Sequence, residues 1–323
     1  MKAAYINSYG RSGVLETGEL AVPTPGPEHL LIKVEAASLN PRDWLLIRGI
    51  YPFKKLAEPF PITLGSDMSG TVVAIGEKVR RFKVGDDVFG MQPIKGKFGA
   101  LAEFAVIKES AVAPKPASLS HADAAAMPCA GMTSFQTIRD LAELKKNETI
   151  LINGASGGVG SYAIQMAKAI GAYVVAVCGP HNQKLCIDLG ADETINYKSE
   201  NFEHHENRYD VVYDAIGRSN PKKCRKCLRK NGRYITTIPS LRMYLTAMLS
   251  KALSFVGLNK NQTSHLILVK PSAKDLAEMA QLITSGKMRS LIDSAYSFAE
   301  VHAAFDKIQT WRAKGKVIVE LAD

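Results

Sequence analysis

Cysteine is scarce in this chain, with five residues scattered among 323. Only Cys224 and Cys227 form a CxxC pair, and neither a second CxxC nor a spaced pair of histidines accompanies it. A structural zinc site needs four ligands, so this pattern argues against a zinc finger and against a disulfide-stapled secreted domain. We therefore expect reduced thiols and no metal site.

Long hydrophobic runs are also missing. No apolar stretch reaches the roughly 18 to 20 residues that span a bilayer. The residues after Met1 resemble a strand rather than a basic and apolar signal peptide. Hydrophobic residues make up 46% of the chain and charged residues 22%, which is ordinary for a folded globular protein. We expect a cytoplasmic protein of two domains.

Acidic residues are absent from the segment 222–233, which carries seven basic side chains and much of the formal net charge of +10. Residues 220–230 are predicted to form a helix that Gly232 closes, with Cys224 and Cys227 on one face. Such a segment attracts anionic partners, but charge alone does not define a site. A solvated helix face is the favoured interpretation, and nucleic acid is not expected as a partner.

The pattern of predicted strands, helices and turns changes twice along the chain. The first 120 residues are rich in turn signals and β-branched runs, with a strand predicted at 30–39. From residue 122, strands alternate with helices, and the clearest are strands at 149–153 and 173–178 around a helix at 157–170. This alternation predicts parallel βαβ units. From about residue 265 the pattern changes again and ends in a strand at 316–321.

The strongest motif is a glycine-rich run between a predicted strand and a predicted helix, Asn153-Gly154-Ala155-Ser156-Gly157-Gly158-Val159-Gly160. Glycines let the backbone approach a pyrophosphate, and the helix N-terminus offers free N–H groups to it. Ala155 stands where the GxGxxG fingerprint has its first glycine, and a tight turn tolerates this change. We expect the residues from Ala155 to Gly160 to bind a dinucleotide.

The end of the predicted strand 173–178 indicates which dinucleotide binds. NAD-binding domains carry an acid there for the ribose 2′-hydroxyl, whereas this chain has no acid before Asp188. Lys184 supplies positive charge instead, and His181 and Asn182 are further donors. NADPH is therefore favoured over NADH.

Four segments resemble the quinone oxidoreductase and enone reductase branch of the medium-chain dehydrogenase/reductases. They are SLNPRDW at 38–44, LGSDMSGTV at 64–72, ASGGVG at 155–160 and GADETINY at 190–197. The chain resembles in particular the chloroplast-envelope and the mitochondrial reticulon-interacting members. The resemblance implies a GroES-like β-rich substrate domain formed by residues 1–121 and 265–323. It also implies a Rossmann doubly wound parallel sheet at 122–264, with NADPH in a cleft between the domains.

The resemblance also implies roles for individual residues. Lys184 and Tyr197 fall where this branch contacts the 2′-phosphate. Zinc-dependent relatives have a cysteine at the position of Asn40 and a histidine-glutamate pair at Ser66-Asp67, and a four-cysteine lobe near residues 85–110. This chain lacks those ligands, so zinc-bound alkoxide chemistry is not expected.

A hydride acceptor must be electron-poor if no metal polarises it, and quinones and α,β-unsaturated carbonyls meet that condition. Donors aimed at the developing oxyanion lower the barrier. Asn40, through its amide, and Tyr51, through its phenol, are the candidate catalytic donors. Asp43 is expected to orient neighbours or to cap the short helix after Pro41.

Several alternatives stay open at this stage. The chain could instead reduce an enoyl thioester, or act as a non-catalytic NADPH-binding adaptor that uses the basic segment 222–233. The apolar segment 241–256 is compatible with a pocket helix, a dimer contact or a membrane-surface helix. A homodimer is expected, and peripheral membrane contact remains open.

Overall fold

The computed structural model describes residues 1–10, 14–52, 54–56, 59–93, 99–239, 243, 245–246, 248 and 262–321. Its amino-terminal part contains strands β1 (Lys2–Ile6), β2 (Leu15–Glu19), β3 (His29–Leu39), β4 (Ile62–Thr63), β5 (Asp67–Ile75), β6 (Asp87–Met91), β7 (Phe104–Lys108) and β8 (Val112–Pro114) and helices α1 (Pro41–Ile47), α2 (His121–Ala126) and α3 (Pro128–Gln136).

The middle part contains strands β9 (Thr149–Asn153), β10 (Tyr173–Cys178), β11 (Glu193–Asn196), β12 (Tyr209–Asp214), β13 (Leu228–Thr236) and β14 (Thr263–Leu266) and helices α4 (Gly158–Ile170), α5 (Gln183–Asp188) and α6 (Pro221–Cys224). The carboxyl-terminal part contains α7 (Ala273–Thr284), β15 (Ile292–Ser297), α8 (Val301–Gln309) and β16 (Lys316–Glu320). Short 3-10 helices occupy Lys54–Leu56, Glu109–Ala111, Pro180–Asn182, Phe202–His204 and Phe298–Glu300, and a π-helical turn covers Thr137–Leu141.

The chain divides into two compact units, one formed by Met1–Met132 with Lys270–Asp323 and the other by Thr133–Val269. Both junctions lie further along the chain than the predicted ones at 121/122 and 264/265. The first junction differs because α2 packs on the sheet of the first unit, where Ala125 and Ala126 form a buried cluster with Ala36 and Ile318.

The first unit is built from two mainly antiparallel sheets. One has the order β2-β1-β4, and the other has the order β15-β16-β3-β5-β6-β8, with β7 also paired to β3. Alternate residues of β3 point into the core because successive side chains of a strand face opposite sides. β16 pairs antiparallel with β3, so that Ile318 lies opposite Ser38. The carboxyl-terminal tail therefore returns to the first unit, as the family resemblance implies.

The second unit is a six-stranded sheet with the order β11-β10-β9-β12-β13-β14, and every pair is parallel. This is the strand order of a Rossmann fold. The central strand β9 buries Ile150, Leu151 and Ile152 completely, as expected for a strand that is covered on both faces. The predicted doubly wound parallel sheet is confirmed.

One predicted helix is wrong. Residues 220–230 do not form a continuous helix, because α6 ends at Cys224, the chain turns, and β13 begins at Leu228. Burial decides the outcome, since β13 pairs with β12 on one side and β14 on the other and places Leu228 and Ile235 in the interior. Helix propensity is a weak preference beside such packing. Cys227 therefore lies in the turn, where its thiol donates a hydrogen bond to the carbonyl of Cys224 at 3.3 Å.

No helix in the described part of the chain has both the length and the apolar character needed to cross a membrane. The segment 241–256 lies mostly outside the described residues, which include only 243, 245–246 and 248 of it. The three interpretations of that segment stay predictions.

Candidate active site

The glycine-rich turn, which comprises residues 154–160 and is called the phosphate turn below, lies at the carboxyl end of β9 in the second unit. Gly154 adopts a φ of +84°, and the backbone N–H groups of Gly154 and Ala155 donate to the carbonyl of Val177 at 3.2 and 3.1 Å. Ala155 is fully buried and keeps a negative φ, which explains why alanine is tolerated where the fingerprint has glycine. Helix α4 begins at Gly158, directly after the extended residue Gly157.

Two glycines of this turn have different reasons to lack a side chain. A Cβ on Gly160 would lie 2.4 Å from the carbonyl oxygen of Gly154 and 2.6 Å from the Cα of Ala155, so the first turn of α4 packs directly on the loop. A Cβ on Gly157 would meet only that carbonyl oxygen, at 3.4 Å. The open space at Gly157 is therefore not required by the protein, and it fits a pyrophosphate that approaches the start of α4.

The predicted 2′-phosphate residues follow β10 and β11 at the same edge of the sheet. The side chain of Asn182 donates to the hydroxyl of Ser156 at 3.0 Å, which ties the loop after β10 to the phosphate turn. Tyr197 is 61% exposed and follows β11, and its ring lies beside Gly179. His181 is exposed after β10.

Lys184 has an acidic neighbour. Its Nζ lies 3.1 Å from the carboxylate of Asp188, one helical turn along α5, and its side chain is 87% exposed. An exposed i, i+4 pair contributes only about 0.3 to 0.5 kcal/mol, so it breaks at little cost when an anion competes. The ammonium group therefore remains accessible to a phosphate.

Sequence reasoning missed Asp214, which braces the loop after β12. Its fully buried carboxylate accepts hydrogen bonds from the Asn153 amide at 3.0 Å, the Ser219 backbone N–H at 2.8 Å and the Tyr234 hydroxyl at 2.9 Å. The loop that it holds packs against the phosphate turn, because a Cβ on Gly154 would lie 2.4 Å from Cγ2 of Ile216. The position of Asp214 at the end of a predicted buried strand was the signal in the sequence that could have identified it.

The first unit contains a buried polar cluster, which we call the Asp67 cluster and define as Ser38, Asn40, Ser66, Asp67 and Lys316. The Asp67 carboxylate accepts hydrogen bonds from the Ser38 hydroxyl and the Asn40 amide, each at 3.0 Å. Lys316 places its Nζ 3.3 Å from the same carboxylate, with side-chain exposures of 4% for Lys316 and 0% for Asp67. Lys316 was not predicted, because it lies 249 residues from Asp67 along the chain.

Asn40 is fully engaged inside the Asp67 cluster. Its amide nitrogen donates to the Ser66 hydroxyl and to Asp67, each at 3.0 Å, and its amide oxygen accepts from Lys316 at 2.6 Å. Both amide hydrogens are thereby used within the protein. This geometry gives Asn40 a positioning role, in contrast to the predicted role as a donor to the substrate.

Asp43 caps the start of α1, which is one of the two roles expected for it. Its carboxylate accepts a hydrogen bond from the backbone N–H of Asn40 at 2.7 Å. Burial raises the pKa of Asp43 to about 6, and Asp67 adds to the increase, whereas Arg42 and Lys316 oppose it. The pKa of Asp43 therefore lies about two units above its ordinary value of 3.8.

Tyr51 and Cys129 are electrostatic neighbours of Asp43. Burial raises the pKa of the half-buried Tyr51 phenol, and Cys129 and Asp43 add to this effect, which Arg42 opposes. Burial, followed by Asp67, raises the pKa of the Cys129 thiol to about 12. Both groups are therefore protonated at neutral pH, and the phenol is a hydrogen-bond donor rather than an anion.

The fold and these residues define a two-unit nicotinamide-dependent oxidoreductase with a GroES-like unit and a Rossmann unit. Residues 26–117 match the family described as alcohol dehydrogenase GroES-like domain, and residues 189–319 match the family described as zinc-binding dehydrogenase. The chain is 37% identical to the chloroplast envelope quinone oxidoreductase homolog of Arabidopsis thaliana over 331 residues, which cover 99% of this chain and 98% of the relative.

Two further relatives agree. The chain is 34% identical to the 2-methylene-furan-3-one reductase of Solanum lycopersicum, with 99% of this chain and 79% of the relative covered. The solved structure of the quinone oxidoreductase from Coxiella burnetii superimposes with a TM-score of 0.88 at 28% identity, over 100% of this chain and 99% of that one. This chain belongs to the quinone oxidoreductase branch of the medium-chain dehydrogenase/reductases.

The name of one matching family implies zinc, but the residues present do not fit it. Lys316 places an ammonium group at hydrogen-bond distance from the oxygens of Asn40 and Asp67, where a zinc ion would meet a positive charge. Within the described ranges, no group of three or more His, Cys, Asp and Glu side chains is arranged to hold a metal ion. The described contacts of the Asp67 cluster are those of a buried salt bridge with its hydrogen bonds.

Proposed function

We propose that this chain uses NADPH to reduce quinones or α,β-unsaturated carbonyl compounds without a catalytic metal ion. The observation that carries the proposal is the lysine in the Asp67 cluster. The ammonium group of Lys316 contacts Asn40 and Asp67, which by the resemblance stand at zinc-ligand positions of zinc-dependent relatives. This contact supports a mechanism in which no Lewis acid polarises the acceptor. The acceptor must then be electron-poor by itself, as quinones and enones are.

The second unit supplies the cofactor site in this proposal. When bound, the reduced nicotinamide cofactor supplies a hydride. Residues Ala155 to Gly160 of the phosphate turn would hold the pyrophosphate. The space that a side chain on Gly157 would occupy is left open for it. The absence of an acid at the end of β10 and the accessible ammonium of Lys184 favour NADPH over NADH.

The first unit supplies the acceptor chemistry. Tyr51 keeps its proton at neutral pH, so its phenol is suited to donate a hydrogen bond to the oxygen on which negative charge develops. The Asp67 cluster and the capping carboxylate of Asp43 fix the start of α1, the helix that leads to Tyr51. Asn40 and Asp43 are therefore positioning residues, and Tyr51 is the candidate catalytic donor.

The test of acceptor and cofactor is NADPH oxidation by the purified chain with an ortho-quinone, a para-quinone, a short enone and a long enone, each repeated with NADH. We expect turnover with NADPH and much slower turnover with NADH. NADPH binding without turnover of any acceptor would shift the assignment to enoyl thioesters or to a non-catalytic adaptor.

Lys184→Ala tests the phosphate site. We expect NADPH affinity to fall at least about tenfold, because a charge-assisted hydrogen bond contributes about 1.5 to 3 kcal/mol, while NADH affinity stays unchanged. Lys145→Ala, at an exposed lysine before the amino end of β9, is the matched control. An equal effect of Lys184→Ala on both cofactors would contradict the assignment.

Tyr51→Phe tests the donor. We expect kcat to fall by about tenfold to a hundredfold, because one preorganised donor to an oxyanion is lost. Tyr5→Phe is the control, since Tyr5 lies on β1 with its ring against Gly18. An unchanged kcat in Tyr51→Phe would remove Tyr51 from the mechanism.

A further inference from the structure

The second unit contains a cavity of about 600 Å³ beside α6 and the strands β13 and β14. Its described lining includes the buried apolar side chains of Leu228, Tyr234 and Met243 and the two basic side chains of Lys222 and Arg225. None of the described lining residues is acidic. A cavity of this size accommodates a small organic molecule.

The basic segment 222–233 separates into three groups in the structure. Three of its side chains form ion pairs with carboxylates of neighbouring elements, namely Lys223 with Glu203 at 3.7 Å, Arg229 with Asp210 at 2.6 Å and Arg233 with Glu148 at 2.7 Å. Lys226 and Lys230 are exposed outside the cavity. Lys222 and Arg225 line the cavity, and neither has a carboxylate partner in the described part of the chain.

The turn that carries Arg225 is held in place. The side-chain nitrogen of Gln262 donates to the backbone carbonyls of Arg225 and Leu228, each at 3.0 Å. The Asn220 side chain accepts from the backbone N–H of Lys223 at 3.1 Å and fixes the start of α6, where Lys222 lies. The backbones of both basic residues are therefore set before any ligand arrives, which lowers the entropic cost of binding.

The described lining of the cavity does not include the residues predicted to bind the pyrophosphate and the 2′-phosphate. None of its described lining residues belongs to the phosphate turn or to α5, which carries Lys184. Its wall is nevertheless joined to the loop after β12, because the Tyr234 hydroxyl donates to Asp214 and Gly217 lines the cavity.

We propose that this cavity binds a small organic anion, a carboxylate attached to an apolar chain or ring. The carboxylate lies between Lys222 and Arg225, and the apolar part lies against Leu228, Tyr234 and Met243. Among the described lining residues, two cations without carboxylate partners lie beside the apolar surfaces of Leu228, Tyr234 and Met243. This combination matches such a ligand, because both its charge and its apolar surface are satisfied. This ligand is distinct from the cofactor and from the hydride acceptor.

Calorimetric titration of the full chain with sodium decanoate tests the charge requirement. We expect saturable binding that weakens at least about tenfold in the double variant Lys222→Ala/Arg225→Ala, because charge-assisted hydrogen bonds are lost. The matched control Lys226→Ala/Lys230→Ala removes the same charge from the same segment outside the cavity, and it should stay within about twofold of the wild type. Equal weakening in both double variants would reduce the effect to general charge attraction and overturn the proposal.

The location and the apolar requirement are tested separately. In methyl spectra of methionine-labelled protein, decanoate should shift the resonance of Met243, which is assigned with Met243→Leu. Acetate should bind at least about tenfold more weakly, since each buried methylene contributes about 0.8 kcal/mol, and decyltrimethylammonium should not bind. An unshifted Met243 resonance, or equal binding of the cationic probe, would overturn the proposal, whatever the result of the NADPH oxidation assay.

Discussion

Replacing Asp43 by asparagine is expected to stabilise the first unit above pH 6. Asp43 is buried, and its pKa in the folded chain is about 6, compared with an ordinary value of 3.8. The folded chain therefore binds more protons than the unfolded chain between these two values. Stability associated with this group is complete below about pH 4 and is lost as the pH rises through 6.

The expected change in the free energy of unfolding follows from the pKa shift of Asp43. A difference of about two pH units corresponds to about 3 kcal/mol, which is the cost of keeping an ionised Asp43 in the fold at pH 8. Asparagine keeps the size of the side chain and an oxygen that accepts from the backbone N–H of Asn40, but it carries no charge. Asp43→Asn should therefore match the wild type below about pH 4 and exceed its free energy of unfolding by up to about 3 kcal/mol at pH 8.

Urea unfolding monitored by tryptophan fluorescence is a selective assay for this unit. The chain has two tryptophans, Trp44 on α1 and Trp311 after α8, and their rings meet edge to face in the first unit. Asp123→Asn makes the same change at the corresponding position of α2, where the side chain is partly exposed, and controls for the substitution itself. If Asp43→Asn had a lower free energy of unfolding than the wild type at pH 8, attraction to Arg42 and Lys316 would outweigh burial and the reasoning would fail.

Three further predictions concern the two sites. Gly160→Ala should destabilise the second unit by about 1 to 3 kcal/mol, because its Cβ would meet backbone atoms at 2.4 to 2.6 Å. Gly157→Ala, by contrast, should keep the melting temperature within a few degrees. It should weaken NADPH binding at least about tenfold, because its Cβ would fill the space left for the pyrophosphate. Lys316→Met should cost about 3 to 5 kcal/mol by leaving the Asp67 carboxylate buried without a cation, and adding Asp67→Asn should recover most of that loss in the same fluorescence assay. Incubation with a zinc chelator followed by desalting should leave NADPH oxidation unchanged, whereas loss of activity that zinc restores would contradict the metal-free mechanism.

The Asp67 cluster suggests how this chain differs from metal-dependent relatives. A buried carboxylate needs a cation or several donors, and here it has both, from Lys316, Asn40, Ser38 and the backbone N–H of Cys129 at 3.1 Å. These contacts join β3, β5, β16 and the start of α3. Under the proposed function, they hold the region around Tyr51 in place, and the reactivity of the acceptor replaces polarisation by a metal ion.

The sequence by itself was sufficient to predict those features that are formed by residues close together in the chain. The phosphate turn lies within one continuous run from Asn153 to Gly160, directly between a strand and a helix, so its position could be predicted. The capping role of Asp43 spans only three residues and was also predicted.

Tertiary structure alone decided whatever depends on distant residues. Leu228 and the basic residues after it suit a helix locally, but burial of β13 between β12 and β14 made them a strand. Asn40 has the functional groups of a donor, but only folding showed that Ser66, Asp67 and Lys316 use them all. Lys316 reaches Asp67 across 249 residues because β16 pairs with β3, and no local pattern records that pairing. The free energy that selects such contacts comes from burial and charge pairing in the assembled core, which exist only after the chain has folded.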